Sequence, residues 1–238
     1  MQSPESWIDY WKRDTLWSQS RLWEVNSRIY VKRLLKIIPL STEAEVLNVG
    51  CGMGYADEVL AGKVKRWVAV DSAEQFVQIT KRKVRGFSSA QVLILKNPYV
   101  DLSPFGKFSL ILCNSVVQYY EGLHELGALI HSASQVVLPG GSLLISDIPL
   151  KRKGIEPFWD KIEMVLKSIA GGYFFEILQV FKKSRKEKQY AEISKRKPSL
   201  EFDFLELREF VSALGFRAEW IRKDFSIYPN RVSLRVQF

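Results

Sequence analysis

The chain has 238 residues, 47% of them hydrophobic and 13% aromatic, which is enough apolar material for one sizeable core and sets aside a disordered chain. Its two cysteines, Cys51 and Cys113, exclude a disulfide framework or a cysteine-rich zinc cluster, so no metal site is expected and a reducing, cytoplasmic setting fits. The formal net charge of +9 is concentrated in residues 151–238, where 19 Lys+Arg against 12 Asp+Glu leave +7, a surface suited to an anionic partner.

From Trp7 to Ile38 apolar residues recur at helical spacing until Pro39 ends the run, so residues 1–40 read as an aromatic helical extension. Charged residues interrupt the first twenty positions, so no secretory leader is expected, and no stretch reaches membrane-spanning length. An apolar burst from Glu45 then meets a glycine loop, and further bursts follow at Trp67–Asp71, Gln91–Leu95 and Phe108–Cys113. Helical stretches at Ala73–Val84 and Leu123–Val137 separate them, the pattern of parallel βαβ units. Leu138-Pro-Gly-Gly141 predicts a turn into a fifth strand, Ser142–Ile148. Residues 151–200 break this rhythm with an apolar stretch, Phe158–Phe181, and a basic one, Lys182–Lys197, and read as a lid inserted into a single domain spanning 1–238. A helix capped by Asp203 and stopped by Gly215 precedes two last strands, near Arg217–Arg222 and Arg231–Phe238.

The strongest local signal is Val46-Leu-Asn-Val-Gly-Cys-Gly-Met-Gly54. A buried strand runs into alternating glycines, where the backbone can approach a ligand and the next helix offers free N–H groups. The spacing is G-x-G-x-G, with Tyr55 where the last glycine of a dinucleotide fingerprint would fall, so a pyrophosphate is disfavoured. Asp71 ends the next strand about twenty residues on, where a carboxylate can accept two hydrogen bonds from a ribose diol. A nucleoside-containing cofactor is implied.

This loop, together with Val68-Ala-Val-Asp-Ser72, Phe108 to Tyr119 and Leu138 to Asp147, resembles the class I S-adenosylmethionine-dependent methyltransferases, in particular those of natural-product and glycan pathways. The resemblance implies an α/β, Rossmann-like seven-stranded sheet with helices on both faces, strand order 3-2-1-4-5-7-6 and an antiparallel last strand in the chain. It implies S-adenosylmethionine as cofactor, with Asn48, Gly50, Cys51 and Gly52 toward the methionine portion and Asp71 and Ser72 at the ribose. Asn97, Pro98 and Tyr99 would flank the adenine, and Asn114 and Ser115 would lie near the sulfonium. Two positions depart from the family pattern: its usual Asp before the glycines is Asn48, and its usual Asp after the Phe of the fourth strand is Ser109. Asn48 can hydrogen-bond the cofactor but brings no negative charge toward its ammonium.

The function so implied is methyl transfer, foremost to an oxygen and less readily to a nitrogen or carbon, of a small-molecule, sugar or lipid-linked acceptor; the alternative that Asn48 and Ser109 raise is a non-catalytic scaffold of the same fold, and an RNA or protein methyltransferase ranks behind both. His124, at the N-terminal end of its helix, is the candidate catalytic base, against the plainer reading of a surface histidine. Trp11 or Trp17 can cap a sulfonium with a ring face, against the plainer reading of helix packing. The basic and apolar segment 158–197 suits an anionic acceptor or peripheral membrane contact, whereas nucleic acid is disfavoured because no RNA-binding appendage motif is visible.

Overall fold

The computed structural model describes residues 6–13, 21–96, 101–151, 162, 165–166, 169, 193–221, 225–226, 228 and 230–238. Most of the expected lid over 151–200 lies outside these residues. Seven strands form one sheet in the order β3-β2-β1-β4-β5-β7-β6. They are β1 (Glu45–Val49), β2 (Arg66–Asp71), β3 (Ala90–Ile94), β4 (Phe108–Asn114), β5 (Val137–Pro149), β6 (Arg217–Ile221) and β7 (Arg231–Gln237). The pairs β1·β2, β1·β4, β2·β3 and β4·β5 are parallel, and β7 runs antiparallel to both neighbours, as the resemblance implies.

The helices that position the site include α1 (Trp7–Arg13), α2 (Arg21–Ile37), α3 (Tyr55–Leu60), α4 (Glu74–Val84), α5 (Leu123–Val136) and α6 (Phe204–Ala213). The central strands are apolar on both sides because both are covered. Leu47, Val68, Ile111 and Leu143 pack toward α5 and α6, while Val46, Ala69, Leu112 and Leu144 pack toward α2, α3 and α4. Asp203 caps α6 by accepting from the N–H groups of Leu205 (2.9 Å) and Glu206 (3.3 Å), as its place in the sequence predicts.

The predicted turn at Leu138–Gly141 takes a different form. Val137 already pairs with Phe108, and the next partners are Ser142 and Leu110, so the intervening residues bulge out of β5 without ending it. A Cβ on Gly141 would stand 2.7 Å from the Ser109 carbonyl oxygen, so only glycine lets the bulge pack against β4.

The helical extension divides into α1 and α2. At seven residues α1 is too short to persist alone, and its stability comes from burying Trp7, Tyr10 and Trp11 against Met53, Ala73 and Phe76. Met53 belongs to the glycine loop and Phe76 to the helix after Asp71, so this packing seats the N-terminal aromatics at the carboxyl end of the sheet. No helix among the described residues is long and apolar enough to cross a membrane.

Candidate functional site

At the end of β1 the backbone N–H groups of Gly50 and Cys51 both donate to the Val70 carbonyl, at 2.9 and 3.0 Å, and pin the loop to β2. Gly50 has φ +75°, and a Cβ there would stand 2.4 Å from Val116 Cγ2, so both backbone and packing require glycine. Gly52 also has a positive φ, but a Cβ on it would meet nothing within 4 Å. It is the open position of the loop and lines the cavity.

Asp71 braces this loop. Its Oδ2 accepts from the Gly52 N–H and its Oδ1 from the Ala73 N–H, each at 2.9 Å. Burial pushes its carboxyl up to about 6, while the N–H donors of Ala73, Gly52 and Ser72 pull it down. The carboxylate is thus held in place with acceptor capacity left on both oxygens. Burial, with Asp57 and Asp71 nearby, pushes the Cys51 thiol well above the usual range, which disfavours the thiolate.

Asn48 donates from Nδ2 to Asp57 Oδ1 at 2.9 Å, and the same oxygen accepts from Trp67 Nε1 at 2.8 Å. Asp57, on α3, is fully buried, and burial pushes its carboxyl up to about 6 despite these two donors.

A second polar group gathers at the ends of β4 and β5. Ser115 and Asp147 both have positive φ, +59° and +63°, a strained conformation for non-glycine residues that clusters at functional sites. The Ser115 hydroxyl donates to Asp147 Oδ2 at 2.5 Å and accepts from Asn114 Nδ2 at 3.2 Å. Arg231, from β7, lies with Nε 3.6 Å from Asp147 Oδ1 and donates from Nη1 to Gln118 Oε1 at 2.8 Å.

One cavity of about 430 Å3 joins the two groups. Asn48, Gly50, Cys51, Gly52, Asp71, Ser72, Asn114 and Ser115 all line it, so the fold brings these sequence candidates together. Asp147, Gln118 and Arg231 line it as well, and sequence reading missed them. A lone acidic residue inside the predicted strand Ser142–Ile148 was the one signal for Asp147. Arg231 comes from 84 residues further along the chain and carried none. The wall is aromatic: Trp7 lies 4.9 Å and Trp11 5.3 Å from Tyr119, centroid to centroid, with Phe76 6.2 Å from Trp11.

Other candidates are not gathered here. His124 is exposed on the first turn of α5 and is not among the residues lining the cavity. Asn97, Pro98, Tyr99 and Trp17 lie outside the described residues. Ser109 sits at the opposite end of the sheet, where its hydroxyl accepts from the Glu45 N–H (3.0 Å) and donates to the Glu45 carbonyl (3.1 Å). Its departure from the family pattern therefore lies where the central strands β1 and β4 begin and does not touch the cavity.

The arrangement fits a nucleoside bearing a cationic amino-acid tail: an open glycine loop, a ribose-type carboxylate, and a cavity rich in acceptors and ring faces. Residues 47–145 match the family described as a methyltransferase domain. Over 153 residues, 62% of its length, the chain is 32% identical to chondramide synthase of Chondromyces crocatus. It is 29% identical over 106 residues, 44% of its length, to a malonyl-[acyl-carrier protein] O-methyltransferase of Priestia megaterium. These matches span only 4% and 36% of the two relatives. In fold the chain is similar to the N-methyltransferase NodS of Bradyrhizobium japonicum, with a TM-score of 0.57 at 15% identity, covering 89% of this chain and 96% of that one. It is also similar to magnesium protoporphyrin IX methyltransferase of Synechocystis, solved with bound S-adenosylhomocysteine, with a TM-score of 0.53 at 18% identity, covering 90% and 82%.

Proposed function

We propose that this chain, whose residues 47–145 match a methyltransferase domain, is a class I S-adenosylmethionine-dependent methyltransferase that transfers a methyl group to an oxygen of a small-molecule, sugar or lipid-linked acceptor. The observation that carries the reading is the single cavity shared by the Asp71-braced loop and the Ser115–Asp147 pair. The cofactor, when bound, supplies a methyl carbon activated by its sulfonium and departs as S-adenosylhomocysteine. The chain's own residues align the partners and exclude water. Asp71 accepts from the ribose diol, Gly52 leaves room for the backbone to approach, and the Trp7, Trp11 and Tyr119 rings close one wall.

A hydroxyl acceptor must lose one proton as its oxygen gains the methyl group. Asp147 is the residue that takes it, directly or through the Ser115 hydroxyl, with Arg231 holding the carboxylate in place. This assigns to Asp147 the role that sequence reading gave to His124. An O-methyltransferase among the partly covered relatives supports oxygen as the acceptor atom. An anionic or lipid-linked acceptor, with peripheral membrane contact through residues 158–197, belongs to the same reading and is tested by flotation with anionic vesicles at low and high salt.

The first test is a thermal-shift series with S-adenosylmethionine, S-adenosylhomocysteine and NAD, followed by radiolabelled methyl transfer to a panel of hydroxylated and amino acceptors. Stabilisation by the two sulfur compounds and not by NAD is expected, with label in the hydroxylated acceptors. Absence of stabilisation by either sulfur compound would overturn the reading.

A further inference from the structure

A carboxyl group is buried directly behind the cavity, against Asn48. Asp57 is fully buried, its Oδ1 accepts from Asn48 and Trp67, and its Oδ2 has no hydrogen-bond partner among the described residues. A neutral amide at position 57 would satisfy the Trp67 indole N–H equally well, so packing alone does not explain why the group is a carboxylate. A fully buried carboxylate with no cation beside it costs more stability than the amide of the same shape, and such costs persist where they serve a site.

A carboxylate accepts and does not donate, so its bond to Asn48 fixes which way that amide faces. With Nδ2 committed to Asp57, the carbonyl oxygen is the Asn48 atom left for a ligand, and Asn48 lines the cavity. The charge behind it polarises the amide toward a stronger acceptor. An acceptor backed by a negative charge suits a cationic group, and a nucleoside with an amino-acid tail carries an ammonium.

We infer that Asp57 is a positioning residue for the cationic tail of the cofactor, holding Asn48 with its carbonyl toward the cavity and supplying from behind the negative charge that position 48 lacks. The inference rests on the cofactor reading above. The groups that face Asp57 are consistent with it: Asn48 from β1, Trp67 and the more distant Asp71 from β2, Cys51 from the loop and Tyr30 from α2. None of them is a cation, so within this set the negative charge is not neutralised by an ion pair.

The test is calorimetric binding of S-adenosylhomocysteine and of adenosine, which has no ammonium, to wild type, Asp57→Asn, and the charge exchange Asn48→Asp/Asp57→Asn. Urea unfolding of each unliganded protein runs alongside. Asp57→Asn is expected to weaken S-adenosylhomocysteine by about tenfold or more, the scale of one charge-assisted hydrogen bond, while leaving adenosine within about twofold. The exchange returns S-adenosylhomocysteine to within about threefold of wild type, because a carboxylate at 48 can accept from the new amide at 57 while that amide's oxygen takes the Trp67 N–H. Equal losses for both ligands, an exchange variant as weak as Asp57→Asn, or no loss in Asp57→Asn would each overturn the inference. Should Asp57→Asn not fold, the exchange variant decides alone, and binding more than about tenfold weaker than wild type would overturn it. Failure of wild type to bind S-adenosylhomocysteine would instead count against the cofactor reading itself.

Discussion

Lowering the pH from 7 to 5 is expected to stabilise the unliganded protein and weaken its cofactor binding over the same interval. Asp57 and Asp71 are both buried, and burial raises each carboxyl from 3.8 to about 6. A group with a raised folded-state pKa contributes stability that is fully present below the unfolded value and is lost as pH rises through the folded value. At pH 7 both are ionised at a cost, and at pH 5 both take up protons in the native state while the unfolded chain still binds almost none. Two pH units across a pKa of about 6 correspond to about 1 kcal/mol per carboxylate, and the total falls short of twice that because part of the rise at Asp57 comes from the Asp71 charge, which protonation of Asp71 removes. Cofactor binding moves the opposite way, because a protonated Asp71 surrenders an acceptor site for the ribose. Affinity is expected to fall by about tenfold from pH 7 to 5 through Asp71 alone. The assays are urea titrations of the unliganded protein and calorimetry with S-adenosylhomocysteine at pH 7, 6 and 5, repeated on Asp57→Asn, which should remove roughly half of the stability slope. Unliganded stability that falls with the same slope in wild type and Asp57→Asn, or affinity that does not change with pH, would refute the reasoning.

Gly50→Ala introduces a methyl 2.4 Å from Val116 Cγ2 at φ +75°, and is expected to cost about 2–4 kcal/mol from the sum of left-handed strain and overpacking, read by urea unfolding, together with loss of cofactor binding. Asp147→Asn should lower kcat by about a hundredfold while the calorimetric affinity for S-adenosylhomocysteine stays within about twofold, because it removes the proton acceptor and leaves the glycine loop intact. A His124→Ala variant, in contrast, should turn over like wild type, since that side chain lies exposed and does not line the cavity. Ser109→Ala removes two hydrogen bonds to the Glu45 backbone at the far end of the sheet, and should cost about 1 kcal/mol of stability without altering kcat.

The alternating fold and its glycine loop were legible in the sequence because they are local. Apolar bursts of strand length, helical stretches between them and glycines at the end of β1 are adjacent along the chain, and periodicity with turn chemistry reports adjacency. Asp71 was legible for the same reason, since its distance from the loop is set by one βαβ unit. The helical character of the N-terminal aromatics was visible too, but whether Trp11 packs between helices or faces the cofactor was left open. Only packing against Met53 and Phe76 shows that Trp7 and Trp11 wall the cavity.

The charge around Asn48 shows where sequence stops. Read alone, Asn48 is a lost acidic residue, and nothing in the pattern of α3 marks Asp57 as its partner. The partnership exists because α3 folds back over β1 and β2, so that one buried oxygen meets both Asn48 and Trp67. The polar group beyond the cofactor loop is likewise a product of topology: β4, β5 and antiparallel β7 lie side by side, so Ser115, Asp147 and Arg231 converge although 116 residues separate the first from the last. Local periodicity and one short motif suffice for the scaffold and for a nucleoside-containing cofactor. Which acids and cations face one another across the cavity was decided only by tertiary structure, because hydrogen bonds and ion pairs depend on distances that strand order, not chain order, sets.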